Sequence, residues 1–166
     1  KVNDRFTVGD LVTGVQNTLK VEISVSGPAW VQADRVELYA NGILIRGEPV
    51  RDPNQSGIKA RVIFDLPRPA HDIHLVAIAT GPGITAPFWE IPRPYQPSSK
   101  TFTSRVIGST NPIWVDADGD GHFSSAHAIA KSLTQLHGND SANLQAARRL
   151  HDEAVATQLE TLLPPP

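Results

Sequence analysis

From the start of the chain to about residue 80, apolar and polar residues alternate. Leu19, Val21, Ile23 and Val25 recur at every second position, as do Val36, Leu38 and Ala40. Successive side chains of a strand point to opposite faces, so this spacing predicts strands with one face buried. In "YANGIL" (39–44), Asn41-Gly42 separates two such runs. Both residues tolerate the positive φ of a type I′ turn, which predicts a tight hairpin. Further strands are expected over about 8–13, 58–66 ("IKARVIFDL"), 72–80 ("DIHLVAIAT") and 102–107, separated by clusters of Gly, Pro, Asn and Asp. Short strands at this spacing predict a mostly β fold, an immunoglobulin-like antiparallel β-sandwich over residues 1–115.

The pattern then breaks twice. Prolines at 82, 87, 92, 94 and 97 remove backbone donors through "GPGITAPFWEIPRPYQPSSK" (81–100), so a long loop is expected there, with Phe88, Trp89 and Tyr95 pinning it to the core or forming a contact surface. After Asp120 the period becomes helical. Ala126, Ile129, Ala130, Leu133 and Leu136 share a face that ends at Gly138. Asp140 or Ser141 is placed to cap a second helix with Leu144, Ala147, Leu150, Ala154 and Leu159 along one stripe, and Arg148/Asp152 and Arg149/Glu153 as i,i+4 pairs. Residues 116–166 are thus expected to be an acidic loop and a two-helix extension packed on the sandwich.

Composition narrows the partners. The 166 residues carry 15 basic and 17 acidic side chains with no block of like charge, which argues against a nucleic-acid surface. No apolar run reaches the roughly 20 residues that span a bilayer. Residue 1 begins mid-pattern without the charged and apolar regions of a signal peptide, so a processed or excised piece is expected. The absence of cysteine removes disulfides, zinc–thiolate sites and cysteine nucleophiles, and leaves the compartment open. The expectation leans to the periplasm or cell exterior.

One stretch carries candidate chemistry. In "DADGDGHFSSAH" (116–127), counting from Asp116, carboxylates fall at positions 1, 3 and 5 (Asp116, Asp118, Asp120), glycine at 6, the His122 carbonyl at 7 and Ser124 at 9. This is the order of an EF-hand loop, in which alternate oxygens converge on Ca2+. Position 12, normally a bidentate Glu, is His127, whose nitrogen is a poor calcium ligand. Any calcium affinity is therefore expected near the weak end, on the order of 10⁻⁴ to 10⁻³ M. The competing reading is an acidic turn whose carboxylates accept backbone N–H groups ahead of a helix. A dockerin-like module would repeat the loop, and only one copy is present.

Elsewhere the catalytic signatures are missing. Serine-hydrolase motifs are absent, the Gly-rich "SGP" and "TGPG" lack the lysine and helix of a phosphate cradle, and His71/His74 and His122/His127 fall at spacings that splay them apart. The histidines are read as exposed or locally bonded, and the chain as non-catalytic.

Two segments taken together, "PAWVQADRVELYANGILI" (28–45) and "PYQPSSKTFTSRVIGSTNPIWVDADGDGHFSS" (94–125), resemble the C-terminal region of large bacterial proteins with a PHP-type (CehA/McbA-like) metallohydrolase domain. In that family a "TNPIWVD-DGDG" segment follows a sandwich with a "DRVE…NG" strand pair, and the metal ligands lie in an upstream domain. The resemblance implies that Asn111, Pro112, Asp116, Asp118, Asp120 and Gly121 are structural, and that no catalytic residue carries over. It implies an accessory module whose partner is the upstream catalytic domain of the same polypeptide, or a component of the cell envelope. The alternative is a carbohydrate- or envelope-binding module using Trp30, Tyr39, Trp89 or Tyr95 as stacking platforms.

Overall fold

The computed structural model describes residues 1–51, 57–84, 101, 103–138 and 140–162. Among the described residues, eight strands precede three helices: β1 (Leu11–Val12), β2 (Thr18–Gly27), β3 (Arg35–Ala40), β4 (Ile43–Pro49), β5 (Gly57–Pro67), β6 (Ile73–Pro82), β7 (Arg105–Ser109), β8 (Ile113–Val115), α1 (Ala126–His137), α2 (Ser141–Leu150) and α3 (Glu153–Leu162). Most of the aromatic, proline-rich stretch, including Phe88, Trp89 and Tyr95, lies outside the described residues.

The strands form two sheets. The larger runs β1-β8-β6-β3-β4, with β7 also on β6. Strand β6 organises it. One edge of β6 takes β3, while the other is shared end to end by β8, against Ile73–Leu75, and β7, against Ile78–Pro82. All these pairs are antiparallel except β1 with β8, where Leu11 faces Trp114. The smaller sheet is the long antiparallel pair β2–β5, in register from Thr18 opposite Pro67 to Gly27 opposite Gly57, with a bulge at Val25/Ser26.

The period-two pattern maps onto one core. Leu19, Val21 and Ile23 of β2, Val36, Leu38 and Ala40 of β3, and Ile73, Leu75 and Ala77 of β6 meet Phe64, Leu66 and Val115 in a single buried cluster. Burying each such large aliphatic side chain contributes roughly 1.5–3 kcal/mol, so this cluster is the main source of stability. The expected hairpin is present: Asn41 and Gly42 take φ of 49° and 83°, and β3 and β4 flank them in antiparallel register. Strand β8 leaves no mark in the sequence pattern, because three residues are too few to show a period.

The C-terminal region differs from expectation in two ways. There are three helices, not two. The stripe read as continuous from 141 to 159 breaks at His151, because the Asp152 carboxylate accepts the Val155 N–H at 3.0 Å and so caps a new helix. Leu150 consequently leaves the stripe and is 72% exposed, and Arg148 pairs with Glu160 of α3 rather than Asp152. The helices also do not bury their stripes in the sheets. Ala130, Leu144, Val155 and Leu159, with Ala126, Ile129 and Leu133 around them, form a second, smaller core of their own. No helix among the described residues is long and apolar enough to cross a membrane.

Candidate functional site

The acidic loop links β8, which contributes to the larger core, to α1, which contributes to the smaller one. Strand β8 delivers Asp116 to the interior, where its backbone N–H donates to the Val12 carbonyl and its side chain is 1% exposed. A carboxylate so buried needs partners, and the chain folds back to supply them. Gly119 and Gly121, both with φ near 85°, turn their N–H groups onto Asp116 Oδ1 and Oδ2 at 2.6 and 2.8 Å. Only glycine takes that backbone conformation without strain, which is why the acids alternate with glycine here. Burial pushes the Asp116 carboxyl up, but the N–H groups of Gly121 and Gly119 lead a set of hydrogen bonds that outweighs it and holds the group below the ordinary carboxylate range. Asp118 accepts from the Asp120 N–H at 3.1 Å and Asp120 from the His122 N–H at 2.7 Å, so the loop is a relay of Asx turns. It ends at Ser125, whose hydroxyl accepts the Ala128 N–H and caps α1.

A residue outside the loop completes it. Asp72, 2% exposed at the foot of β6, accepts the Ala117 N–H at 2.7 Å through Oδ1 and the Ser124 N–H at 2.8 Å through Oδ2. One carboxylate therefore grips both ends of the loop. The Arg68 guanidinium adds a third tie by donating through Nε and Nη2 to the Ala117 carbonyl. Phe123 packs its ring against His74 and Trp114 on the neighbouring strands. The sequence pattern did not single out Asp72. A lone Asp ahead of an apolar run is an ordinary strand-entry residue, and its partners lie 45 and 52 positions away.

Of the five positions expected to face a cation, the structure brings Asp116 and Asp118 together, and Asp72 joins them. One oxygen from each of the three lies within 4.8 Å of the others. Asp120 is exposed and outside this group, and His122 is exposed. Ser124 is half-buried and contributes its backbone N–H to Asp72. His127, at position 12, faces α3 instead, with Nδ1 3.0 Å from Gln158 Oε1. The donor set is all oxygen, as a hard cation requires, and Asp72 supplies the acid that the linear count lacked. It is only part of the six to eight oxygens that calcium takes, and Asp72 and Asp116 already accept two backbone N–H groups each.

The other expected candidates are dispersed. His74 is half-buried, whereas His71 is buried beside the α2–α3 junction, contrary to an exposed or locally bonded reading: its ring nitrogens make no hydrogen bond. Its Nε2 lies 3.2 Å from Asp152 Oδ2, and its ring is 5.1 Å from that of His151. Trp30 is half exposed after β2, and the Tyr39 hydroxyl donates to Glu37 at 2.7 Å. Compared with protein-family models, curated proteins and solved structures, the chain matches none of them.

Proposed function

We propose that this chain is a non-catalytic accessory module of a PHP-like metal-dependent hydrolase, its strands an immunoglobulin-like β-sandwich and its acidic loop a stabilising corner. The observation that carries the reading is what the corner does with its acids. Asp116 and Asp72 spend every carboxylate oxygen on backbone N–H groups that shape the loop, as a structural element does. For Asp116 this accords with the structural role that the resemblance over 94–125 implies. The corner takes a weakly held calcium ion on Asp72, Asp116 and Asp118, completed by water, as a supplement to these hydrogen bonds. The module's partner is the hydrolase domain upstream in the same polypeptide. To test this, the isolated chain is assayed against phosphoesters and amides with added divalent metal. No turnover is expected. Activity that disappears on substitution of a residue within the chain would sink the reading.

A second reading, a carbohydrate-binding module, is favoured by one observation: Trp30 leaves 51% of its surface exposed, a flat apolar platform of the kind on which sugars stack. A glycan array probed with the chain and with Trp30→Ala decides it, because binding must appear and then vanish in the variant.

A further inference from the structure

The helices and the sheets leave an open cleft of about 390 Å³ between them, within the size range of small-molecule sites. Its walls are apolar: Ile43 and Ile45 of β4, Leu66 at the end of β5, and Leu150 at the end of α2. Leu150 is the residue that the unexpected helix break turns out of the helical core, and it remains 72% exposed. His71 and Asp152 also line it. The nitrogens of His71 are shielded from solvent, so the imidazole shows carbon to the cleft.

Charge at the cleft is unbalanced. Among the described residues that line it, the one carboxylate, Asp152, is already engaged by the Asn41 side chain, the Val155 N–H and His71. The two guanidinium groups are Arg46 and Arg68, on exposed residues. Arg46 donates only to its neighbour's carbonyl, that of Ile45, and Arg68 only to that of Ala117, so among the described residues neither has a carboxylate partner. Guanidinium is the side-chain group best matched to a carboxylate, which it binds through two parallel hydrogen bonds.

Apolar walls together with two arginines that have no carboxylate partner among the described residues are complementary to a molecule with an apolar body and an anionic head. We propose that this cleft binds a small amphiphilic anion, an alkyl or aryl carboxylate whose apolar body lies against Ile43, Ile45, Leu66 and Leu150 and whose carboxylate meets Arg46 and Arg68. Binding is a property of the seam between sheets and helices, independent of the accessory role proposed above.

The test titrates the whole chain with hexanoate, octanoate and decanoate by calorimetry, with decyltrimethylammonium as the head-group control. Saturable one-site binding is expected, tightening about 3- to 4-fold for each added methylene as apolar surface is buried. The cation is expected to bind at least tenfold more weakly than decanoate. Arg46→Glu and Leu150→Asp, both at exposed positions, should each weaken decanoate binding tenfold or more with an unchanged melting temperature. Absent saturation, equal binding of the cation, or decanoate affinity unaltered in both variants would each overturn the proposal.

Discussion

Asn41 Nδ2 donates to Asp152 Oδ2 at 2.9 Å, joining the turn of the β3–β4 hairpin to the N-cap of α3 across 111 residues of sequence. The same Asn41 accepts the His74 N–H through Oδ1 at 3.0 Å, so one amide side chain ties hairpin, β6 and helix together. Asparagine suits this position twice: its backbone tolerates the positive φ of the turn, and its side chain offers both a donor and an acceptor.

Asp152 should make stability depend on acid pH. Burial pushes its carboxyl up, but His71, the Val155 N–H and Asn41 outweigh burial and hold it at about 2, below the ordinary 3.8. A carboxylate lowered in the folded state contributes stability that is full above its unfolded value and is lost as pH falls through the folded one. The contribution is therefore expected to be intact above pH 4 and gone below pH 2. With the side chain 24% exposed and solvent screening the charges, it is on the order of 1 kcal/mol. Denaturant melts of parent and Asp152→Asn between pH 1.5 and 6 check this: the curves should differ at pH 6 and converge at the acid end.

Asp72→Ala should be among the most damaging single changes at the corner. It strands the N–H groups of Ala117 and Ser124 beside a buried void, and each unmet buried donor costs about 1–3 kcal/mol. A loss of about 3 kcal/mol or more is expected in urea unfolding. Exchange protection should fall at Ala117 and Ser124 before it falls in β2 and β5.

For the proposed calcium ion, added calcium should raise the melting temperature of the parent protein, and EDTA should reverse the rise. Asp118→Ala should abolish the response at little basal cost, because Asp118 is exposed and the hydrogen bond it accepts from the Asp120 N–H is local. A melting temperature indifferent to calcium and EDTA would remove the ion from the corner and leave the hydrogen-bonded turn intact.

Gly81, buried in β6, is a further sensitive point. A Cβ there would overlap the Gln32 carbonyl, which is backbone and has little freedom to yield. Gly81→Ala is expected to destabilise by roughly 1–3 kcal/mol, as overpacking does, measured by thermal or urea unfolding.

What was legible in the sequence was local. The Asn41-Gly42 turn, the alternation of β2, β3 and β6 and the acid–glycine order of 116–121 are each encoded within a few residues, and each appears in the structure. The role of Asp72 was not legible, because nothing about an isolated Asp reports that two N–H groups from a distant loop will converge on it. The break at Asp152 was within reach. A helix-capping residue stands inside an apolar stripe, and the periodicity of Leu150, Ala154 and Leu159 masks the cap.

The helices hold to the sheets through separated polar ties: Asp72 and Arg68 on the acidic loop, and Asn41 with His71 on Asp152. A body fastened at a single point can swivel about it in any direction, whereas two separated fastenings leave it one axis, like a door on its frame. Asn41→Ala removes the hydrogen bond of the second fastening and leaves it only the His71–Asp152 contact, so the helices should swing more widely on the door's axis and carry Leu150 away from β4.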